Sequence, residues 1–109
     1  MSARRKKSTS AVVMFIAEYL PGEWPQLLAT AADRDELEST HREWHEHYLK
    51  TCRELKAHGQ DLRPVVIRMA DFLVWCERNG CRNDASARAR YAGQKGRELY
   101  AGGQAPTKP

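Results

Sequence analysis

The sequence predicts an all-α fold: a small bundle of four main helices at about 10–20, 35–58, 63–79 and 84–100, with a short helix near 25–32. Three observations predict it. Alternating β-branched runs, the usual mark of strands, are scarce. Most glycines stand near the ends of apolar-periodic segments or in the last residues, where helices stop. Pro64 to Asn79 is the most apolar stretch and carries helix signals at both ends.

The first helix is expected to start at Ser8 or Ser10. Val12, Val13, Ile16, Tyr19 and Leu20 then recur at helical spacing, and Pro21-Gly22 ends it. Trp24 precedes a proline and is biased towards an extended backbone. Pro25 suits the opening of the short helix, with Leu27, Leu28 and Ala31 closing one end of the core. Asp33 with Glu36, or Asp35 with Glu38, resembles a capping box at the start of the long helix. Leu37, His41, Trp44, Tyr48, Cys52 and Leu55 form its core stripe, and Gly59 is its stop.

The segment from Pro64 to Asn79 reads as a buried central helix. Asp61 is its expected N-cap, Pro64 its first turn and Gly80 its left-handed stop. Only Arg68, Asp71, Glu77 and Arg78 are charged within it, and Arg68, Asp71 and Arg78 make one polar seam. It is too short and too charged to span a membrane, which takes about 20 apolar residues. Asn83 or Asp84 caps the last helix. There Ala85, Ala89, Ala92, Gly96 and Leu99 form a small-residue stripe expected to face the central helix. Gly93 and Gly96 each weaken that helix by about 1 kcal/mol relative to Ala, which predicts a break or fraying after Gly93.

A chain of 109 residues is one domain, comfortably above the about 40 residues below which folding alone becomes difficult. Residues 1–8 read as a flexible basic arm, 9–101 as the helical domain and 102–109 as a disordered tail. The net charge of +4 is unevenly spread. Arg4, Arg5, Lys6 and Lys7 come with no acid. Residues 18–61 carry ten acids against five bases, and residues 63–98 carry eight bases against four acids. Such polarity points to an anionic partner for the arm and the second half. Three cysteines are an odd number, consistent with reduced thiols in a cytoplasmic protein. Residues 4–7, the apolar run from Ala11 to Ala17 and Ala29-Thr30-Ala31 loosely imitate a secretion signal. Glu18 cuts the apolar region short, and a basic tail followed by an amphipathic helix is the better reading.

Four constellations bear on chemistry. Arg82, Arg88, Arg90, Lys95 and Arg97 decorate the last helix and the turn before it. Arg88 with Lys95, and Arg90 with Arg97, are seven apart and project on two neighbouring faces. With Arg4, Arg5, Lys6 and Lys7 they are the candidate nucleic-acid contacts. The turn before this helix does not match a standard helix-turn-helix. His41 and His45 share a helical face at a chelating spacing, but no third ligand stands beside them and the pattern is not H-E-x-x-H. Cys52, His58, Cys76 and Cys81 hold loose, non-standard zinc spacings, and buried Cys commonly serves as a small hydrophobe. Cys81, in a turn between Arg78 and Arg82, is expected to have a lowered pKa and some reactivity. Asp33, Asp35, Glu36, Glu38, Glu43 and Glu46 form an acidic face.

No nucleophile stands beside a base and an orienting acid, so neither an enzyme nor a cofactor is expected. The leading expectation is a small helical accessory or regulatory protein that binds DNA through the last helix and the arm, with a homodimer compatible. A basic arm, a small domain and a polar tail form a format shared with accessory proteins of mobile genetic elements, though format is not homology. The rival is a protein-interaction module, an inhibitor or adaptor acting through the acidic long helix, with no nucleic-acid role.

Overall fold

A computed structural model describes residues 13–100, and the fold is mixed α/β rather than all-α. The arm and the tail expected at 1–8 and 102–109 lie outside the described residues. Strand β1 spans Val13–Glu18 and is followed by a 3-10 turn at Pro21–Glu23 and helix α1, Trp24–Thr30. A second 3-10 turn at Arg34–Glu36 leads to helix α2, His41–Ala57. Strand β2 spans Asp61–Val66, helix α3 Met69–Asn79 and helix α4 Ala85–Leu99. The strands pair in parallel, Val13 opposite Asp61 through Glu18 opposite Val66. A parallel pair needs a long crossover, and α1 and α2 supply it.

Two expected helices are therefore corrected. The segment at 10–20 contains a strand because Val13, Phe15 and Ile16 are β-branched or aromatic and find a partner in 61–66. The central helix expected at 63–79 is a strand followed by a shorter helix. From Pro64 to Met69 burial alternates: Val65, Ile67 and Met69 are buried, while Pro64, Val66 and Arg68 are exposed. That is the period of a strand. Pro64 does not open a helix. The Ile67 N–H donates to the Glu18 carbonyl at 2.9 Å, so the odd-numbered residues of β2 turn their N–H groups towards β1. Pro64 falls on the outer side, where no donor is required. Nor is the central segment buried all round. In α3 only Met69, Phe72 and Cys76 are buried, and Arg68, Asp71 and Arg78 all face solvent.

The cap of α3 comes from far away in the chain. Asp61 pairs with Arg63 within β2 instead. The Met69 N–H donates to Glu23 Oε1 at 2.7 Å, and Arg68 Nε donates to Glu23 Oε2 at 3.1 Å. These contacts, the backbone bond first, hold the Glu23 carboxyl below its ordinary pKa. The long helix begins at His41 rather than near 35, because Thr40 Oγ1 accepts the Glu43 N–H and caps it there. Gly59 stops it at φ 86°. Helix α4 is capped by Asp84, as expected, and runs unbroken through Gly93 to Leu99.

The core gathers Leu27, Val65, Ile67, Met69 and Phe72 from α1, β2, α3 and the link between the last two. Helix α4 packs chiefly on the two strands and less on α3. Its buried residues are Ala87, Arg88, Tyr91, Ala92 and Gly96, so the contact face is rotated from the expected stripe, and Ala85, Ala89 and Leu99 are exposed. A Cβ at Gly96 would overlap the Phe15 ring. Gly96 is what lets α4 lie this close to β1. Among the described residues, no helix is long and apolar enough to cross a membrane.

Candidate functional site

The seven-residue spacings on α4 separate two kinds of arginine. Arg88 is buried, with its side chain 7% exposed. Its guanidinium donates to both oxygens of Asp33, at 3.1 and 2.6 Å, and to Asn83 Oδ1 at 2.7 Å. Asn83 Nδ2 in turn donates to Thr30 Oγ1 at 2.8 Å, and its carbonyl accepts the Ala32 N–H at 2.8 Å. The network ties α1 and the following loop to the start of α4. The Arg88 bonds hold the Asp33 carboxyl below its ordinary pKa. Arg88 thus sits inside the fold rather than on its surface.

Arg82, Arg90 and Arg97 are exposed, and Lys95 is half-buried with its Nζ 3.5 Å from Glu98. The Arg90 guanidinium lies over the Trp75 ring, 5.2 Å from its centre. Between α3 and α4 a surface hollow of about 310 Å³ is lined by Trp75, Asn79, Arg90, Gln94 and Arg97, among others. Trp75 Nε1 donates to Gln94 Oε1 at 3.2 Å and Asn79 Nδ2 to the Trp75 carbonyl at 2.8 Å, which fixes the floor. Arg78 stands exposed at the end of α3. Arg78, Arg82, Arg90 and Arg97 have no ion-pair partner among the described residues. Sequence reasoning placed Trp75 in the core and Arg78 in a seam, and so missed both. Their proximity to α4 depends on how the two helices pack. Arg4, Arg5, Lys6 and Lys7 lie outside the described residues.

A second feature is a groove of about 390 Å³ bordered by β1, α2 and α4. Its walls are aromatic. Tyr19, Trp24, Trp44 and Tyr48 form a cluster, with ring centres 5.2 Å apart for Tyr19–Trp44, 5.6 Å for Trp24–Trp44 and 4.9 Å for Trp44–Tyr48. Burial pushes the pKa of the Tyr19 hydroxyl up to about 12. Trp24 Nε1 is buried without a hydrogen-bond partner among the described residues. Phe15, Ile16 and Ala17 all line the groove, so it follows the edge of β1 rather than one face. The alternation that turns Glu18 and Ile16 towards β2 turns the N–H and C=O of Phe15 and Ala17 the other way, to the edge where no strand pairs among the described residues.

The His and Cys sets do not assemble. His41 Nε2 is bonded to the Tyr19 carbonyl at 2.6 Å, and His45 stacks on the His41 ring with centres 5.7 Å apart. His47 Nδ1 is 2.6 Å from Glu38 Oε2. His58 Nδ1 bonds the Glu54 carbonyl at 2.8 Å, on α2 with Cys52, while Cys76 and Cys81 flank the end of α3. No group of three or more His, Cys, Asp or Glu among the described residues is arranged to hold a metal ion. The acidic face is dispersed as well: Asp33 turns inward to Arg88, Glu38 meets His47, and Glu46 lies 3.7 Å from Arg42.

Comparison of the chain with protein-family models, with curated proteins and with solved structures gives no match.

Proposed function

We propose that this small α/β protein binds nucleic acid, duplex DNA first, through Arg82, Arg90 and Arg97 together with Arg78 of α3. The observation that carries the reading is a set of exposed arginines without ion-pair partners among the described residues, Arg90 and Arg97 lining the α3–α4 hollow and Arg78 and Arg82 near the end of α3. Unpaired guanidiniums on a rigid helix suit phosphate oxygens, and each contact releases condensed counterions. Asn79 and Gln94 add hydrogen-bonding amides beside them. Arg4, Arg5, Lys6 and Lys7, outside the described residues, add to the basic charge of the chain, and an accessory or regulatory role in the cytoplasm fits reduced thiols. The reading involves no catalytic step. The test is binding of a fluorescent duplex at low salt. The double variant Arg90→Ala/Arg97→Ala weakens binding, whereas Arg42→Ala, on α2 and already paired with Glu46, leaves it unchanged. Absence of binding by the parent protein at low salt removes the reading.

A second reading, a protein-interaction module, is favoured by one observation: the backbone groups of Phe15 and Ala17 face an edge inside the aromatic groove that no strand among the described residues covers. An extended segment of a partner protein would add there as a third strand, with α2 as one wall. A stoichiometric protein partner that slows amide exchange at Phe15 and Ala17 supports this reading, and a partner that leaves both amides unprotected counts against it.

A further inference from the structure

Helix α3 ends in a left-handed turn at Gly80, φ 63°. The Cys81 N–H donates to the Cys76 carbonyl at 3.0 Å and the Gly80 N–H to the Glu77 carbonyl at 3.4 Å. These two bonds define a Schellman motif. In that motif the residue after the left-handed position folds back onto the residue five before it, and the contact is usually between two apolar side chains. Here both are cysteines. A backbone N···O separation of 3.0 Å keeps their Cα atoms within the range of about 4.4–6.8 Å that a disulfide spans. Cys76 is buried, while Cys81 is half-buried and reachable at the edge of the core.

We propose that Cys76 and Cys81 form a dithiol site that a low-molecular-weight disulfide oxidises to an intrachain disulfide and that a trivalent arsenical bridges. Cys81, the accessible thiol, loses its proton to solvent and attacks one sulfur of the small disulfide. The S–S bond breaks, a mixed disulfide forms on Cys81, and one thiolate leaves and takes up a proton. Cys76 then gives up its proton and attacks Cys81 Sγ, displacing the second thiolate. Two protein thiols are oxidised, and one small disulfide is reduced to two thiols. Burial, with the Cys81 contact and Asp84 adding to it and Arg88 opposing it, pushes the Cys76 thiol up to about 11. Cys76 is therefore the resolving partner rather than the first nucleophile. A zinc site is not the better assignment, since structural zinc takes four ligands and the described residues bring no third to this pair. The site is independent of the nucleic-acid reading, although Arg78 and Arg82 flank it.

The experiment uses the full chain with Cys52→Ser, so that only this pair reacts. After exhaustive treatment with oxidised glutathione, the protein is denatured, alkylated and weighed. The expected product has lost two hydrogen atoms, takes up no alkylating agent and yields a peptide linking Cys76 to Cys81. A stable glutathione adduct with Cys76 still alkylatable, or a disulfide between two chains, would overturn the proposal. Phenylarsine oxide gives a second readout on the native, reduced protein. One equivalent binds with release of water, and Cys81→Ser abolishes it. Absence of tight stoichiometric binding by the Cys52→Ser protein also overturns the proposal.

Discussion

Arg88 and Arg90 stand two positions apart on one helix and do opposite work. The first closes an internal network with Asp33 and Asn83, and the second covers Trp75 at the surface. Removing one partner of a buried ion pair leaves the other charge uncompensated, at a cost of about 3–5 kcal/mol. Arg88→Ala is therefore expected to lower unfolding free energy by about that much in urea titrations, while Arg90→Ala stays within about 0.5 kcal/mol of the parent. The same network sets the acid limit. Asp33 and Glu23 both have carboxyls held below their ordinary pKa, by Arg88 and by the Met69 N–H respectively. A carboxyl lowered on folding contributes stability that is fully present above its unfolded pKa of about 4 and is lost as pH falls through the folded value. Stability is expected to fall below about pH 4, and the fall is shallower in Asp33→Asn, as urea midpoints across pH would show. The sequence shows the seven-residue spacings on α4 but not that Arg88 alone among these arginines turns inward. That choice is made by Asp33, 55 residues away along the chain.

Helices α1 and α4 are legible in the sequence because their signals are local: Pro25 at the start of one, Asp84 capping the other. The strands are not, because each short apolar run is ambiguous until its partner is known. In β2 the alternation is masked by Val66, an apolar residue on an exposed position, so that Val65 to Ile67 reads as continuous. The left-handed stop at Gly80 stands, but the start expected at Asp61 and Pro64 is strand, and the helix that begins at Met69 is capped by Glu23, brought in by the tertiary fold. Of the small-residue stripe expected on α4 only Ala92 and Gly96 lie on the buried face, which packs chiefly on the strands rather than on a helix. Two glycines test this packing. Gly96→Ala gains helix propensity but drives a Cβ into the Phe15 ring, with an expected net loss of about 1–3 kcal/mol. Gly93→Ala meets only the flexible end of Arg97 and is expected to gain about 1 kcal/mol. Thermal unfolding of the two variants, compared with the parent, checks both signs. Destabilisation of similar size in both would show that α4 does not sit on β1 as described.

At the scale of the whole molecule the fold rearranges the charge that the sequence displays. Acids precede bases along the chain, and the fold brings some of them together: Glu23 onto Arg68 and Asp33 onto Arg88. What remains without an ion-pair partner among the described residues includes Arg78, Arg82, Arg90 and Arg97, near the end of α3 and along α4. Net charge alone gives a weak, sequence-independent attraction to polyanions. The account makes a narrower claim, that Arg90 and Arg97 each hold a phosphate. Every phosphate contact contributes about 0.9 to the slope of log affinity against log salt concentration on duplex DNA. The measurement that tests the claim most directly is that slope for the parent protein and for Arg90→Ala/Arg97→Ala. The account predicts a slope shallower by about 2 in the double variant. An unchanged slope would contradict it, whatever the affinity.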